Sequence, residues 1–330
     1  MTTIRGSGWI AVARGRDVGA RPLRVLIDDV PLVLWREGHS IRALVDRCPH
    51  RFAPLSGGRV VNGLIECPYH GWRFDEGGRC RAVPGLPGEP PAIAIPSRAT
   101  REEAGLVFVA RGADPGDPWP GVLHGDDVVS TIVESRVRAR LVDVAENILD
   151  AAHTHFTHRG LLRGLSARRY GVTVTVTGGD GWIEARYVGE PRQQGLISRL
   201  LEGERTVSVG RFMAPGVAEL EFHGPRGINL ATTFHLRQET AETVRGLAVL
   251  AGPRQGGLGL LKAPVFQAFF RVALEQDRRI LEAASDNARL APGLAPATAP
   301  LDILRAGIEA ILRGERPLAA DRPFAIGMEL

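Results

Sequence analysis

Cys48-Pro-His50-Arg and Cys67-Pro-Tyr-His70-Gly-Trp are the two stretches of this sequence that decide its fold. Each stretch offers one thiolate and one imidazole, and both lie within one short region of the chain. Two cysteines and two histidines can bind a [2Fe–2S] cluster, with the thiolates on one iron and the imidazoles on the other. A structural zinc site of the two-Cys, two-His type is the alternative. Zinc sites usually take paired cysteines from one turn and paired histidines from another. Here each turn mixes the two types, so the sequence favours the iron–sulfur cluster.

The two stretches resemble the ligand loops of the Rieske domain, and the residues from Arg51 to Gly58 fit the usual continuation of the first loop. In the Rieske proteins of respiratory and photosynthetic complexes, each loop carries a second cysteine, and these two form a disulfide. The corresponding positions here are Ala53 and Tyr69, and the sequence has no apolar stretch long enough to span a bilayer. The resemblance therefore narrows to a Rieske ferredoxin or to the oxygenase component of a Rieske non-haem iron system.

Length separates these two possibilities. The chain has 330 residues, of which 44% are hydrophobic and 24% charged, so it suits two domains rather than one small cluster domain. Residues 1–8 lack the apolar segment of a signal peptide, which predicts a cytoplasmic protein. Three cysteines do not make an even disulfide framework, and Cys80 is interpreted as a spectator thiol rather than a third ligand.

The net charge of +4 is modest, and basic residues alternate with acidic ones, so nucleic-acid binding is not expected. Several arginines lie beside the ligand stretches, Arg79 and Arg81 among them. They form either a solvated loop surface or a docking patch for an acidic electron donor.

The pattern of strands and turns divides the chain. Residues 1–111 read as short strands separated by Gly and Pro, typical of a small antiparallel β-domain, here the Rieske [2Fe–2S] domain. Residues 112–121 hold three prolines and three glycines and are interpreted as a linker. Residues 122–330 are expected to form the catalytic, mononuclear iron domain. Its strand patterns, such as the alternation of Val and Thr over Val172–Thr177, predict a curved antiparallel sheet.

Helices are predicted only around residues 143–156, 260–287 and 301–313. The expected fold class is therefore α+β: an all-β Rieske domain followed by a sheet covered by helices, of the helix-grip, START-like kind.

A second metal signal lies in the first of these helices, in Asp150-Ala-Ala-His153-Thr-His155-Phe-Thr-His158. Asp150 and His153 are three residues apart and share a helix face. His158 lies five residues beyond His153, about 140° away on an ideal helix, so the helix must end or distort if both bind one ion. The segment resembles the Asp-x-x-His-x-x-x-x-His segment of Rieske oxygenases, whose histidines bind mononuclear iron. His155 falls outside that spacing and is interpreted as a neighbour.

Two neutral imidazoles leave a ferrous ion in need of a carboxylate, as in the facial triad of two histidines and one carboxylate. An apolar helical stripe contains Phe266, Phe270, Ala273, Leu274, Ile280, Leu281 and Ala284, and Asp277 falls on it. A buried carboxylate must be satisfied, so Asp277 is either a metal ligand or one half of a buried ion pair, for example with an arginine. The resembled family takes its aspartate ligand from such a C-terminal helix, which makes Asp277 the expected third ligand.

The resemblance also implies roles for two residues before His153. Asp150 would bridge a cluster histidine of one subunit, His70, to an iron histidine of its neighbour in a head-to-tail homotrimer. It would accept a hydrogen bond from the ring nitrogen that His153 leaves free. Asn147, one turn earlier, matches a position near the iron in relatives, and it is either such a group or only a polar helix residue.

The function implied is that of a terminal oxygenase, an oxidoreductase. Electrons from NAD(P)H would come from a separate reductase, with or without a ferredoxin, through the cluster to a mononuclear Fe(II). There O2 would hydroxylate or oxidatively demethylate a small organic substrate. The sequence shows no Gly-rich dinucleotide fingerprint, which places the nicotinamide site on another polypeptide. The alternatives are a Rieske electron-transfer protein without oxygenase activity, and the same iron chemistry giving cis-dihydroxylation or desaturation. An aromatic or polycyclic substrate would suit a pocket lined by four phenylalanines that could equally be core: Phe212, Phe234, Phe266 and Phe270.

Overall fold

The computed structural model describes residues 8–162, 169–190, 204–254 and 258–330, without the side chains of residues 258–263, 265 and 266. The chain divides into two compact units. The N-terminal unit contains Gly8–Pro118 together with Arg237–Ala241, and the C-terminal unit contains Trp119–Leu236 and Glu242–Leu330. The stretch 112–121, expected to be a linker, is shared between the two, and its limits stay a prediction.

The N-terminal unit is built from short antiparallel strands. In chain order these are β1 (Trp9–Arg14), β2 (Leu23–Ile27), β3 (Val30–Glu37), β4 (Ser40–Val45), β5 (Arg59–Val61), β6 (Leu64–Glu66), β7 (Arg73–Phe74), β8 (Cys80–Ala82), β9 (Thr100–Glu103) and β10 (Leu106–Ala110). In the described residues they form three small sheets with the strand orders β1-β10-β9, β2-β3-β4 and β5-β6-β7-β8. The all-β character expected of this region is confirmed.

Strand β3 joins two hydrophobic clusters of this unit, because successive side chains of a strand point to opposite faces. Leu32 and Leu34 belong to a cluster with β1, β2, β4 and β10. Val33 and Trp35 belong to a second cluster, which also contains Cys48, Cys67, Cys80, Leu55 and Phe74. The two Cys/His stretches are therefore anchored in a packed core rather than on a free loop.

The C-terminal unit is organised around one large antiparallel sheet. Its strands are β11 (Val128–Val137), β12 (Gly171–Gly179), β13 (Trp182–Val188), β14 (Val207–Met213), β15 (Val217–Gly224), β16 (Gly227–Thr240), β17 (Thr243–Pro253) and β18 (Phe324–Glu329). In the described residues their order is β11-β17-β16-β15-β14-β13-β12-β18. Val172, Val174 and Val176 are all buried while the threonines between them are not, as the alternation predicts.

Four helical segments complete the described part of this unit: α1 (Leu141–Leu149), α2 (Thr154–Thr157), α3 (Leu258–Leu290) and α4 (Arg305–Leu312). The single helix predicted over residues 143–156 is wrong as one element, because α1 ends before Asp150, which has an extended ψ of 111°. The α+β class is confirmed. In the described part of the chain, no helix is both long and apolar enough to cross a membrane.

Most of the apolar stripe predicted for helix α3 packs against the core of the C-terminal unit. Phe270, Leu274 and Leu281 pack against that core, and Ala273 is buried. Ile280 is 56% exposed, so its assignment to the stripe is wrong. The reason is geometric, since Ile280 lies about 100° round the helix from Leu281.

Candidate metal centres

The two Cys/His stretches fold into loops with the same backbone hydrogen bonds. In the first loop, the N–H of Cys48 donates to the carbonyl of Ala53 (2.9 Å), and the N–H of Phe52 donates to the carbonyl of Cys48 (2.8 Å). In the second loop, the N–H of Cys67 donates to the carbonyl five residues on (2.8 Å), and the N–H of Gly71 donates to the carbonyl of Cys67 (3.1 Å). Phe52 and Gly71 occupy the equivalent place, and both adopt a left-handed backbone with φ of 58° and 71°. Each loop thus turns around its cysteine in the same way.

The two cysteines form the buried floor of the site. Burial and the neighbouring thiol of Cys67 together raise the pKa of the Cys48 thiol to about 11, although the backbone N–H groups of His50 and Arg51 point at the sulfur and oppose this shift. A buried thiolate therefore needs a cation beside it. A metal centre supplies that cation and removes the protons. The donor set therefore fits a metal-bound pair of thiolates.

The two histidines form the exposed rim. The ring centroids of His50 and His70 are 4.6 Å apart, and His50 stacks on Trp72 at 4.9 Å with the planes 6° apart. Each loop contributes one buried cysteine and one exposed histidine, so the two thiols lie on the inner side of the site and the two imidazoles on the outer side. An inner cysteine pair and an outer histidine pair match a [2Fe–2S] cluster with one pair on each iron.

Some of the arginines beside these loops are engaged. The guanidinium groups of Arg59 and Arg73 each donate to the Glu66 carboxylate at 2.7 Å. The guanidinium of Arg47 lies 5.9 Å from the ring centroid of Phe52. These arginines contact groups within the chain, so they contribute less to any docking patch than the sequence suggests.

Arg79 and Arg81 instead line an open cleft of about 650 Å³ in the N-terminal unit. Arg81 lies 3.7 Å from the carboxylate of Asp75, whereas Arg79 has no ion pair among the described residues. Cys80 lies between them, belongs to the buried cluster beneath the loops, and forms no disulfide. The remaining lining residues are Glu89, Pro90, Pro91, Ala92, Ile93 and Ala94.

The second candidate centre is created where helix α1 stops. His153 immediately precedes the short helix α2, and His158 immediately follows it. The break allows the two rings to turn toward each other, so that their Nε2 atoms lie 3.3 Å apart. The distortion that the five-residue spacing requires is therefore present.

Asp277 of α3 completes this group. Its Oδ1 atom lies 3.0 Å from Nε2 of His158 and 3.5 Å from Nε2 of His153. Oδ1 is buried and has no hydrogen-bond partner. The charged groups within 4 Å of Asp277 in the described residues are these two imidazoles, so the alternative of an ion pair with arginine is not seen there. A buried carboxylate oxygen without a donor, facing two imidazole nitrogens, fits a site for a cation.

The charges of this group are strongly coupled. Burial disfavours the ionised carboxyl of Asp277, but the two imidazoles outweigh burial and lower its pKa to about 2. Burial likewise disfavours the imidazolium of His153, but Asp150 and Asp277 outweigh it and raise the pKa of His153 to about 9. The site therefore favours one positive charge between its three donors. Two imidazoles and one carboxylate are the facial set that binds ferrous iron and leaves coordination positions open.

The outer nitrogen of His153 is held by the backbone, which corrects the role expected for the Asp150 side chain. Nδ1 of His153 lies 2.6 Å from the carbonyl oxygen of Asp150 and 3.7 Å from its carboxylate. The carboxylate instead accepts from the N–H groups of Ala152 (2.7 Å) and His153 (3.2 Å). Where a helix ends, its last carbonyls lack N–H donors, and the N–H groups of the following turn lack carbonyl acceptors. Here the Asp150 carbonyl faces Nδ1 of His153, and the Asp150 carboxylate accepts from the N–H groups of the following turn.

The outer nitrogen of His158 is held by a residue that the sequence did not reveal. Nδ1 of His158 lies 2.8 Å from Oε1 of Gln276, the residue just before Asp277. An uncharged amide carries no metal-ligand signature, and only its place beside Asp277 on a half-buried helix face could have drawn attention to it.

Asn147 and Asp150 both line a cavity of about 410 Å³ in the C-terminal unit, together with Tyr187. None of His153, His158 and Asp277 lines this cavity. The expected nearness of Asn147 to the iron stays a prediction.

Three of the four phenylalanines expected to line a substrate pocket lie in the hydrophobic core of the C-terminal unit or against it. Phe212 and Phe234 are buried in that core, and Phe270 packs against it. Phe234 and Phe270 contact each other with ring centroids 5.8 Å apart. The side chain of Phe266 lies outside the described residues. Phe212 and Phe234 are therefore core residues, and a role of Phe266 or Phe270 in a substrate pocket stays a prediction.

Comparison with known proteins finds one matching family domain in each half of the chain. Residues 8–96 match the Rieske [2Fe-2S] domain, and residues 137–308 match the vanillate O-demethylase oxygenase C-terminal domain. The oxygenase component of dicamba O-demethylase from Stenotrophomonas maltophilia is 34% identical over 217 residues, which is 62% of each chain. Methylxanthine N3-demethylase NdmB from Pseudomonas putida is 33% identical over 167 residues, 45% of each chain. These alignments span less than two thirds of the relatives.

The fold similarity is more extensive. The crystal structure of dicamba monooxygenase bound to dicamba superposes with a TM-score of 0.76 at 23% identity, covering 94% of this chain and 97% of that one. One unit carries a pair of Rieske-type ligand loops, and the other carries a group of two histidines and one carboxylate. The C-terminal family match covers just over half of this chain, which therefore belongs to the Rieske non-haem iron oxygenases.

Proposed function

We propose that this chain is the terminal oxygenase component of a multi-component system, which hydroxylates or oxidatively demethylates a small apolar molecule. The observation that carries the proposal is the buried, donor-less Oδ1 of Asp277 facing His153 and His158. A protein that only carried electrons would have no use for a second group of metal donors. When bound, the cluster supplies single electrons, and the ferrous ion supplies open coordination positions for O2.

The residues of this chain have distinct tasks in that proposal. Cys48 and Cys67 would hold one iron of the cluster, and His50 and His70 would hold the other. His153 and His158 would offer their Nε2 atoms to the mononuclear iron, and the carboxylate of Asp277 would neutralise part of its charge. Because each Nδ1 faces an oxygen acceptor, both rings keep their protons on the outer side, away from the metal.

The proposed substrate class is supported by the names of relatives. These are dicamba O-demethylase, methylxanthine N3-demethylase and, from Rhizorhabdus wittichii, chloroacetanilide N-alkylformylase. An aromatic or polycyclic molecule with a methyl group on oxygen or nitrogen is therefore the proposed substrate.

The protein partners are also proposed from the names of relatives. The names "oxygenase component" among relatives support a separate NAD(P)H-dependent reductase, with or without a ferredoxin. The cleft with Arg79 and Arg81 is the proposed contact for that acidic donor, in a cytoplasmic protein. His70 is exposed, and the Asp150 side chain is 39% exposed, so both are available for the proposed bridge between neighbouring subunits of a homotrimer.

Metal analysis with a matched pair of variants tests the proposal. The wild-type protein should hold about three irons and two sulfides per chain, with a Rieske-type paramagnetic resonance signal when reduced. His153→Ala should lose one iron and keep that signal, whereas His155→Gln in the same segment should lose none. Turnover of a methoxylated or N-methylated aromatic probe should require the third iron. Two irons in every variant would leave only the electron-transfer function.

A further inference from the structure

The two candidate iron histidines differ in how their outer nitrogens are held. Nδ1 of His153 faces a backbone carbonyl, which no side-chain substitution can remove. Nδ1 of His158 faces a single side-chain oxygen, Oε1 of Gln276, at 2.8 Å. The orientation of His158 therefore depends on the identity of one residue.

The proton balance of the ring fixes what this residue must be. A histidine that binds a metal through Nε2 carries its proton on Nδ1, so the partner of Nδ1 must be an acceptor. The amide oxygen of Gln276 is such an acceptor, and the amide nitrogen is not. His158 is only 2% exposed, so bulk water cannot readily replace the lost acceptor.

The helix gives this contact its geometry. Gln276 and Asp277 are consecutive on α3, so their side chains leave the helix about 100° apart. One reaches Nδ1 of His158 at 2.8 Å and the other faces Nε2 at 3.0 Å. Two neighbouring residues of one rigid helix thus hold both nitrogens of a single imidazole. The two nitrogens of His153 are instead contacted from different elements, Nδ1 by the Asp150 carbonyl at the end of α1 and Nε2 by Asp277 of α3 at 3.5 Å.

We propose that Gln276 is a positioning residue for the mononuclear iron site. It fixes the tautomer and the rotation of His158 and thereby sets the affinity of the His153, His158 and Asp277 group for a divalent ion. This rests on the proposed function, because it assumes that these three side chains bind a metal. Groups that orient metal-bound histidines in this way change metal affinity about 10–100-fold when they are removed.

Metal titration of three α3 variants tests the proposal. Gln276→Met keeps the length of the side chain and removes the acceptor, Gln276→Glu keeps an acceptor, and Arg271→Gln changes an exposed residue of the same helix. Each protein, with its cluster intact and its mononuclear iron removed by chelation, is titrated with Co(II). Both the dissociation constant and the visible ligand-field spectrum are recorded.

Gln276→Met should bind Co(II) about 10–100-fold more weakly than wild type and show a shifted spectrum. Gln276→Glu should bind within a few-fold of wild type or more tightly, and Arg271→Gln should match wild type in both readouts. The cluster signal reports that each variant is folded. If Gln276→Met proves unstable, weaker binding by the soluble Gln276→Glu protein overturns the inference by itself.

The results also separate this inference from the proposed function. Wild-type protein that binds no Co(II), or binds it equally well after Asp277→Asn, would refute the metal site itself. Wild-type protein that binds Co(II) through Asp277, while Gln276→Met binds as tightly with an unchanged spectrum, would refute only the role of Gln276.

Discussion

Acid should weaken the C-terminal sheet through one buried histidine, His235 of β16. Complete burial lowers the pKa of His235 to about 4, although a hydrogen bond to the backbone of Pro120 works in the opposite direction. In the unfolded chain the same group titrates near its ordinary pKa of 6.5. Between these two values the unfolded state binds the proton and the folded state does not, so stability falls as the pH falls.

The size of the effect follows from the difference in pKa. Each pKa unit corresponds to about 1.4 kcal/mol, so a difference of about 2.5 units gives a loss of about 3 kcal/mol by pH 4. None of this loss is present above pH 6.5, where His235 is neutral in both states. His235→Gln cannot take up the proton, so it should lose this part of the acid sensitivity.

Urea unfolding followed by circular dichroism, at several values between about pH 7 and pH 4.5, measures the difference. Carboxyl groups also titrate in this range, and they do so equally in wild type and variant, so the difference between the two curves isolates His235. His39→Gln, at an exposed turn, is the matched control and should follow wild type. Parallel curves for wild type and His235→Gln would refute the reasoning.

Further predictions concern both units. Asp277→Asn should lose the mononuclear iron and keep the cluster, because it removes the only carboxylate of the group; iron analysis with the resonance signal checks this. Asp150→Asn should keep the iron better than Asp150→Ala, since the amide oxygen can still cap the turn, and iron content per chain decides it. Arg79→Glu should slow reduction by an acidic donor and flatten its dependence on ionic strength, measured by stopped flow. Gly78→Ala should lower Tm much more than Gly85→Ala: both have φ of 80°, but only at Gly78 would a Cβ lie 1.9 Å from a backbone oxygen.

The features of this protein that could be predicted are those whose residues lie close together in the sequence. The ligand loops place each cysteine and histidine two or three residues apart, and strand alternation marks β12 and β13 directly. Asp277 could be predicted because its helix period places a carboxylate among apolar residues. These signals depend on local geometry alone.

The parts that escaped prediction depend on partners far away in sequence. Strand β18 lies at the C-terminus and pairs with β12, more than 140 residues earlier. Gln276 acquires its role only because His158, 118 residues before it, presents Nδ1 to it. An amide or a short polar strand carries no mark of such a partner, so the sequence alone could not identify either.

Asp150 shows why a predicted group of residues can lie together in the structure and still differ from the predicted arrangement. The spacing of His153 and His158 requires a break in the helix, and the sequence could state that requirement without saying what meets it. In the structure, the Asp150 carboxylate accepts from the first N–H groups after the break, and its carbonyl accepts from Nδ1 of His153. One residue therefore ends the helix, caps the next turn and sets the tautomer of a ligand. Among the described residues the carboxylate accepts hydrogen bonds from two backbone N–H groups, and the Asp150 side chain is 39% exposed. The proposed bridge to a neighbouring subunit is compatible with the orientation of His153, because the bridge would use the carboxylate whereas the orientation uses the backbone carbonyl.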